Sequence, residues 1–205
     1  MRTAILTLAV LIGGVLALDW ATAGFTALTS ERARQLAVAR QPVALPPAVL
    51  TTAEGKAQPL EEWLAEQDKA TLVSFVYTRC NSICLALGNE FQQMQRQLIE
   101  EGLEDRVRLL SISFDPAYDT PERLSRYAER MRADPAVWQF ATVRDAQELE
   151  QLLDAFGIVI VEDEFGGFEH NAAFHVVAPS NALTAIVDFT KPRRALATAL
   201  GEREA

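Results

Sequence analysis

The chain has 205 residues, 49% of them hydrophobic and 23% charged, with a formal net charge of -9 and a pI near 4.8. This length allows one domain of ordinary size plus a leader, and the composition excludes a wholly disordered chain. The acidic balance, with no Lys/Arg cluster interleaved with aromatics, argues against nucleic-acid binding.

A short positive start (Met1, Arg2) precedes an almost wholly apolar run, Ala4 to Leu18. Residues 1–25 therefore read as a membrane anchor or an export signal, with Ala21-Thr22-Ala23 as a small-residue cleavage site. Either way, the main domain is exported. Residues 26–47 read as a linker, its end extended by the prolines of QPVALPPAVL, and residues 48–205 as the main domain.

From Ala48 the chain alternates short β-like runs with helical periods, the pattern of an α/β sandwich. Ala48 to Thr52 and Lys56 to Leu60 are weak strand candidates around a turn at Gly55. Thr71 to Thr78 is short, β-branched and aromatic, so it reads as a buried central strand. Leu87, Phe91, Met94 and Leu98 then recur at helical spacing. Arg106 to Phe114 is a second strong strand. Thr120-Pro121-Glu122 starts a helix with a capping hydroxyl, a first-turn proline and an acid at the positive dipole end. Val137 to Val143 is a weaker strand, followed by a helix carrying Leu149, Leu152, Leu153 and Phe156 and ended by Gly157. Ile158 to Val161, Ala173 to Val177 and Leu183 to Phe189 are further strands, the last two a hairpin through Pro179-Ser180-Asn181. A helix from about Arg193 to Glu202 closes the domain.

The only two cysteines, Cys80 and Cys84, fall where the buried strand gives way to the first long helix. A helix N-terminus stabilises thiolate, the reactive and metal-binding form. On a regular helix, side chains four apart stand about 5–6 Å apart at Cβ, wider than the roughly 3.5–4.5 Å of a disulfide. Cys80 is therefore expected ahead of the helix, unless the first turn flexes. A structural disulfide here would close too small a loop to restrain much unfolded-chain entropy. The chain has two histidines. His170 comes after an acidic, glycine-bearing stretch, Glu162 to Glu169, that reads as a mobile loop, and His175 lies inside a strand. Two thiolates and an imidazole suit copper: sulfur favours Cu(I), and nitrogen helps hold Cu(II).

Three segments, VSFVYTRCNSIC, SISFDPAYDTPERLSRYA and EHNAAFHVVAP, together resemble the Sco/SenC family of copper-handling proteins involved in cytochrome c oxidase assembly. The resemblance covers roughly residues 48 to 190. It implies a thioredoxin-like fold behind an N-terminal membrane-anchoring helix. It further implies copper ligation by Cys80, Cys84 and His170, and a copper-accepting subunit of a terminal oxidase as partner. The domain would then lie in the periplasm, or an equivalent exported compartment, tethered to the inner membrane. Asn81 and Leu85 stand where the family commonly has proline after each cysteine, which alters the stiffness of the loop. Asp119-Thr120-Pro121 reads as capping and loop structure. Two other functions fit the same residues. One is a thiol–disulfide oxidoreductase that keeps the acceptor's cysteines reduced, with Cys80 attacking and Cys84 resolving. The other is a non-enzymatic redox or copper sensor.

Overall fold

The computed structural model describes residues 2–21, 29–66, 68–80, 83–164 and 166–202. The chain divides into two compact units, Met1–Gln41 and Pro42–Ala205. The first holds α1 (Arg2–Ala21) and α2 (Ser30–Arg40). On α1 the apolar side chains of Val10, Leu11, Ile12, Val15, Leu16 and Trp20 are exposed. Among the described residues, no helix is long and apolar enough to cross a membrane. Residues 22–25, the end of the expected anchor and most of its cleavage site, lie outside the described residues. The second helix is a difference from the sequence reading, which has linker there. Thr29 caps it by accepting from the Arg32 N–H at 3.1 Å, and Glu31 pairs with Arg34 one turn on.

The second unit contains β1 (Val43–Ala44), β2 (Val49–Thr52), β3 (Ala57–Pro59), α3 (Leu60–Ala65), β4 (Ala70–Val76), α4 (Ile83–Glu101) and β5 (Val107–Ser113). It continues through α5 (Pro121–Arg130), β6 (Trp138–Val143), α6 (Ala146–Phe156), β7 (Ile160–Glu162), β8 (Phe168–His170), β9 (Ala173–Ala178), β10 (Ala182–Asp188) and α7 (Pro192–Ala199). Eight strands form one sheet in the order β1, β10, β9, β4, β5, β6, β2, β3. Strands β4, β5 and β6 run parallel at its centre, and β9 and β10 form the expected antiparallel hairpin.

The central strands are buried on both faces, as their continuous apolar runs require. Leu72, Leu109, Trp138 and Phe174 pack with Leu87, Phe91, Met94 and Leu98 of α4, Leu124 and Tyr127 of α5, and Leu196 of α7. Phe75 points to the other face, where it meets Phe156 of α6 and the wholly buried His175 edge-on. Short α3 has no periodic signal of its own. Arg108 of β5 holds it by donating to the carbonyls of Trp63 and Leu64 at 2.7 and 2.9 Å, with its guanidinium 3.7 Å from the Trp63 ring centre. Burial lowers the Arg108 pKa to about 10, so it stays cationic at neutral pH.

This topology sets the C-terminal ends of the parallel strands β4 and β5 side by side. The loop after β4 carries Cys80 and leads to Cys84 in the first turn of α4, the loop after β5 carries Asp115 and Asp119, and β8 brings His170 to the same end.

Candidate metal and thiol site

Backbone geometry places Cys80 ahead of α4 and Cys84 in its first turn. The Cys80 N–H donates to the Tyr77 carbonyl at 3.1 Å, and the Cys84 N–H donates to the Cys80 sulfur at 3.3 Å. One of the otherwise unpaired N–H groups of the helix entrance is thereby spent on a sulfur. Asn81 lies outside the described residues, whereas Leu85 is 38% exposed at the rim. Both sulfur-bearing residues are buried and free of a disulfide.

His170 stands at the end of β8. The stretch that reads as a mobile loop in sequence, Glu162 to Glu169, holds the turn and most of the second strand of a β7–β8 hairpin, in which Ile160 faces His170 and Glu162 faces Phe168. The turn is made by glycines for two separate reasons. Gly166 has φ +74°, and a Cβ on Gly167 would meet an Asp163 carboxylate oxygen at 2.7 Å. Asp163 accepts from the Gly167 N–H at 2.8 Å, closing the turn. Asn171 ties the hairpin base to the end of α6, donating to Gly157 O and accepting from Val159 N–H at 2.9 and 2.7 Å.

The hairpin carries the imidazole to the cysteines, with His170 Nε2 3.5 Å from the Cys84 sulfur. On the far side of the ring, Nδ1 is 3.0 Å from the Asn171 carbonyl, which can only accept. Nδ1 therefore carries the proton, and Nε2 presents its lone pair toward the sulfur. That is the tautomer a ligating imidazole needs, fixed from behind by a backbone acceptor. Burial lowers the His170 pKa below its ordinary value, keeping the ring neutral at pH 7. The Cys84 thiol is pushed far up, first by its hydrogen bond with Cys80 and then by burial. Among the described residues, no three His, Cys, Asp or Glu side chains stand as a ready metal cage. Cys84 and His170 are in contact, and Cys80 is held one hydrogen bond away. His175, the other histidine, packs in the core on a different strand and takes no part.

Two further residues support the site: Tyr77, which the sequence reading does not single out, and Asp119, which it takes as loop structure. Tyr77 reaches across from the end of β4, and its hydroxyl donates to the Phe168 carbonyl and accepts from the Phe168 N–H at 3.0 and 3.1 Å. Its ring packs edge-on to Phe168 and tilted against Phe114, and Phe114 in turn lies edge-on to His170 at 5.0 Å. Tyr77 thus fastens the His170 strand to the cysteine strand. Asp119, wholly buried, accepts from the Thr78 N–H at 3.0 Å, the Thr78 hydroxyl at 2.5 Å and the Ser113 hydroxyl at 2.5 Å. Thr78 is two residues before Cys80, so this carboxylate anchors the cysteine loop. The loop role expected for Asp119 holds, although Thr120 sits at the N-cap of α5 without a side-chain capping bond. The signal for both residues was present: a tyrosine and a threonine just ahead of the first cysteine, and two aspartates shortly after a buried strand.

Comparison with known proteins identifies the family. The SCO1/SenC family model matches residues 51–203. The chain belongs to the SCO1/SenC family. The SCO1 protein homolog of Bacillus subtilis is 29% identical over 122 residues, and this SCO1/SenC chain spans 58% of its length, with 58% of the present chain matched. A SCO1/SenC family lipoprotein from Bacillus anthracis has the same fold, with TM-score 0.66 and 20% identity over 80% of this chain and 99% of that one. ScoI of Bradyrhizobium japonicum, solved with copper bound, gives TM-score 0.63 and 22% identity over 78% and 99%. BsSco, described as a member of the Sco family of cytochrome c oxidase assembly proteins and bearing a disulfide switch, gives 0.62 and 22% over 80% and 96%. At these identities the structural likeness establishes the fold, a mixed α/β arrangement matching the thioredoxin-like Sco structures.

Proposed function

We propose that the chain is a copper metallochaperone that holds copper through Cys80, Cys84 and His170 and delivers it to, or matures, the copper centre of a cytochrome c oxidase. The observation that carries this reading is the 3.5 Å approach of His170 Nε2 to the Cys84 sulfur, with Cys80 at the same helix entrance. Two soft sulfurs with one imidazole nitrogen form a donor set suited to copper in both oxidation states. The copper-bound ScoI of Bradyrhizobium japonicum supports the choice of metal. To ligate alongside Cys84, the Cys80 sulfur turns from the N–H that it now accepts. The copper-accepting partner is a subunit of the oxidase.

The N-terminal segment, residues 1–25, anchors the chain to the inner membrane or directs its export, leaving the Sco domain in the periplasm or an equivalent compartment. The apolar side chains exposed on α1 support this, as does the lipoprotein nature of the Bacillus anthracis relative. The domain division proposed is residues 1–25, a connecting segment 26–47, and 48–205.

A second reading is favoured by a separate observation. Cys80 lines an open cleft while Cys84 is wholly enclosed, the arrangement of an attacking and a resolving thiol. The Cys80 thiolate would attack a partner disulfide, forming a mixed disulfide and releasing one partner thiol. The Cys84 thiolate would then attack the Cys80 sulfur and release the second. Two electrons pass to the partner, and the chain is left with a Cys80–Cys84 disulfide. This requires no His170.

Titration of the reduced full chain with Cu(I) tests the first reading. Uptake saturates at one copper per chain, with at least one proton released per copper. The sign is set by Cys84, whose raised pKa keeps it protonated at neutral pH, so metal must displace its proton. His170, already neutral, has none to give. Affinity therefore rises with pH between about 6 and 8, by roughly tenfold per unit for each proton released. Absence of stoichiometric uptake, or uptake without proton release, contradicts the reading.

A further inference from the structure

In a chain of net charge -9, a basic cleft adjoins the cysteines. A cleft of about 620 Å³ is lined by Arg79, Arg123, Arg126 and Arg130 together with Tyr118 and Cys80, and no carboxylate is among its lining residues. Three of the arginines lie on α5 at i, i+3 and i+7, so they share one helix face. Arg79 comes from the cysteine loop opposite.

Among the described residues, three of these four cations have no carboxylate oxygen within 4 Å. Arg79 pairs with Asp115 at 2.8 Å, and its guanidinium also lies 4.4 Å from the Tyr118 ring centre. Arg123 stacks on the same ring at 3.6 Å and donates to the Tyr118 carbonyl at 2.7 Å. Arg130 lies over Tyr127 and donates to the Thr78 carbonyl at 3.4 Å. Arg126 interacts electrostatically with Glu122, one turn back on α5. Two aromatic faces and two backbone carbonyls hold the Arg123 and Arg130 guanidiniums in place without cancelling their charge. Like charges gathered this way repel one another, a cost that an incoming anion removes.

We infer that this cleft is the docking site for an acidic, extended segment of a partner polypeptide, which it lays beside Cys80. The dimensions favour a peptide over a small anion. Seven residues of α5, at about 1.5 Å each, separate Arg123 from Arg130 by roughly 10 Å, beyond the reach of one carboxylate. An extended strand rises about 3.3 Å per residue and sets alternate side chains on one face, so about four consecutive residues span that row. Arginine is also the cation best suited to bidentate carboxylate recognition. In making the bound segment part of the copper acceptor the inference rests on the proposed function; the recognition of acidic chain does not.

The test is fluorescence anisotropy on the reduced, metal-free full chain in neutral detergent. The probe is a labelled peptide of roughly twelve residues alternating Glu with Ser, compared with the same peptide bearing Gln for Glu, and with citrate as a small-anion competitor. The Glu peptide binds, the Gln peptide binds at least about tenfold more weakly, and binding of the Glu peptide falls as salt is raised. Arg126→Gln weakens it about threefold, and Arg126→Gln with Arg130→Gln about tenfold or more. Equal binding of the two peptides, undiminished binding by the double variant, or competition by citrate at concentrations matching the peptide would each overturn the inference. Copper titration of the double variant separates the two claims. Normal copper uptake with lost peptide binding supports the cleft assignment; a native chain that binds peptide but takes up no copper supports the cleft and removes only the reading of the cysteines.

Discussion

Replacing Asp119 by alanine destabilises the Sco domain by about 3–5 kcal/mol and loosens the loop that carries Cys80. The carboxylate is wholly buried and takes three hydrogen bonds: the Thr78 N–H and the Thr78 and Ser113 hydroxyls. Alanine leaves the buried Ser113 hydroxyl and the half-buried Thr78 N–H and hydroxyl short of their acceptor, each costing up to about 1–3 kcal/mol before relaxation, the most where water is excluded. Ser113 keeps one link, since its oxygen also accepts from the Asp115 N–H at 3.1 Å. Thr78 has no such alternative for its N–H, so the damage concentrates two residues before Cys80. Asn is the milder change, because its amide oxygen can still accept from the backbone. Urea unfolding followed through tryptophan fluorescence measures the effect, with Trp63 and Trp138 both buried reporters. A loss below about 1 kcal/mol for Asp119→Ala, the size of a single surface contact, would mean that the carboxylate does not hold the loop.

Cys84→Ser abolishes useful Cu(I) binding while leaving the fold intact. The serine hydroxyl fits the enclosed site and keeps the backbone N–H that points at Cys80. It replaces a soft sulfur 3.5 Å from His170 Nε2 with a hard oxygen that Cu(I) disfavours. Loss of a supporting contact around a metal costs about 10–100-fold in affinity, and loss of a ligand exceeds that. Competition with a chelator of known Cu(I) affinity provides the measurement, and unfolding in urea checks that stability falls by no more than about 1–2 kcal/mol. An affinity within about tenfold of the native chain would remove Cys84 from the metal site.

Much of the fold was legible because its strongest elements owe little to distant contacts. The runs TLVSFVYT and RVRLLSISF hold enough β-branched and apolar residues to read as buried strands, and they are the central parallel pair β4 and β5. Leu87, Phe91, Met94 and Leu98 announce α4 by period alone. Elements fixed by tertiary contacts were not legible. Six-residue α3 depends on Arg108, distant in sequence, to satisfy its last carbonyls. Strand β7 overlaps the expected strand Ile158 to Val161, but the turn and β8 look like loop because Gly166 and Gly167 dominate the turn, and their order comes from Tyr77 clamping Phe168. For the same reason the sequence names His170 through a motif yet places it on a swinging loop. The structure puts it at a strand end, its ring set by Asn171 and Phe114. The basic cleft was the least visible feature, since its arginines are scattered through a chain whose net charge is -9.

Absorption spectroscopy of the Cu(II)-loaded full chain shows whether both sulfurs and the imidazole meet at one ion. A thiolate-to-copper charge-transfer band is expected that is lost in Cys80→Ser and Cys84→Ser and shifts or weakens in His170→Ala, because two sulfurs and the Nε2 lone pair bind one ion. A band present in the native chain and identical in His170→Ala would contradict it, leaving the dithiol without its imidazole partner.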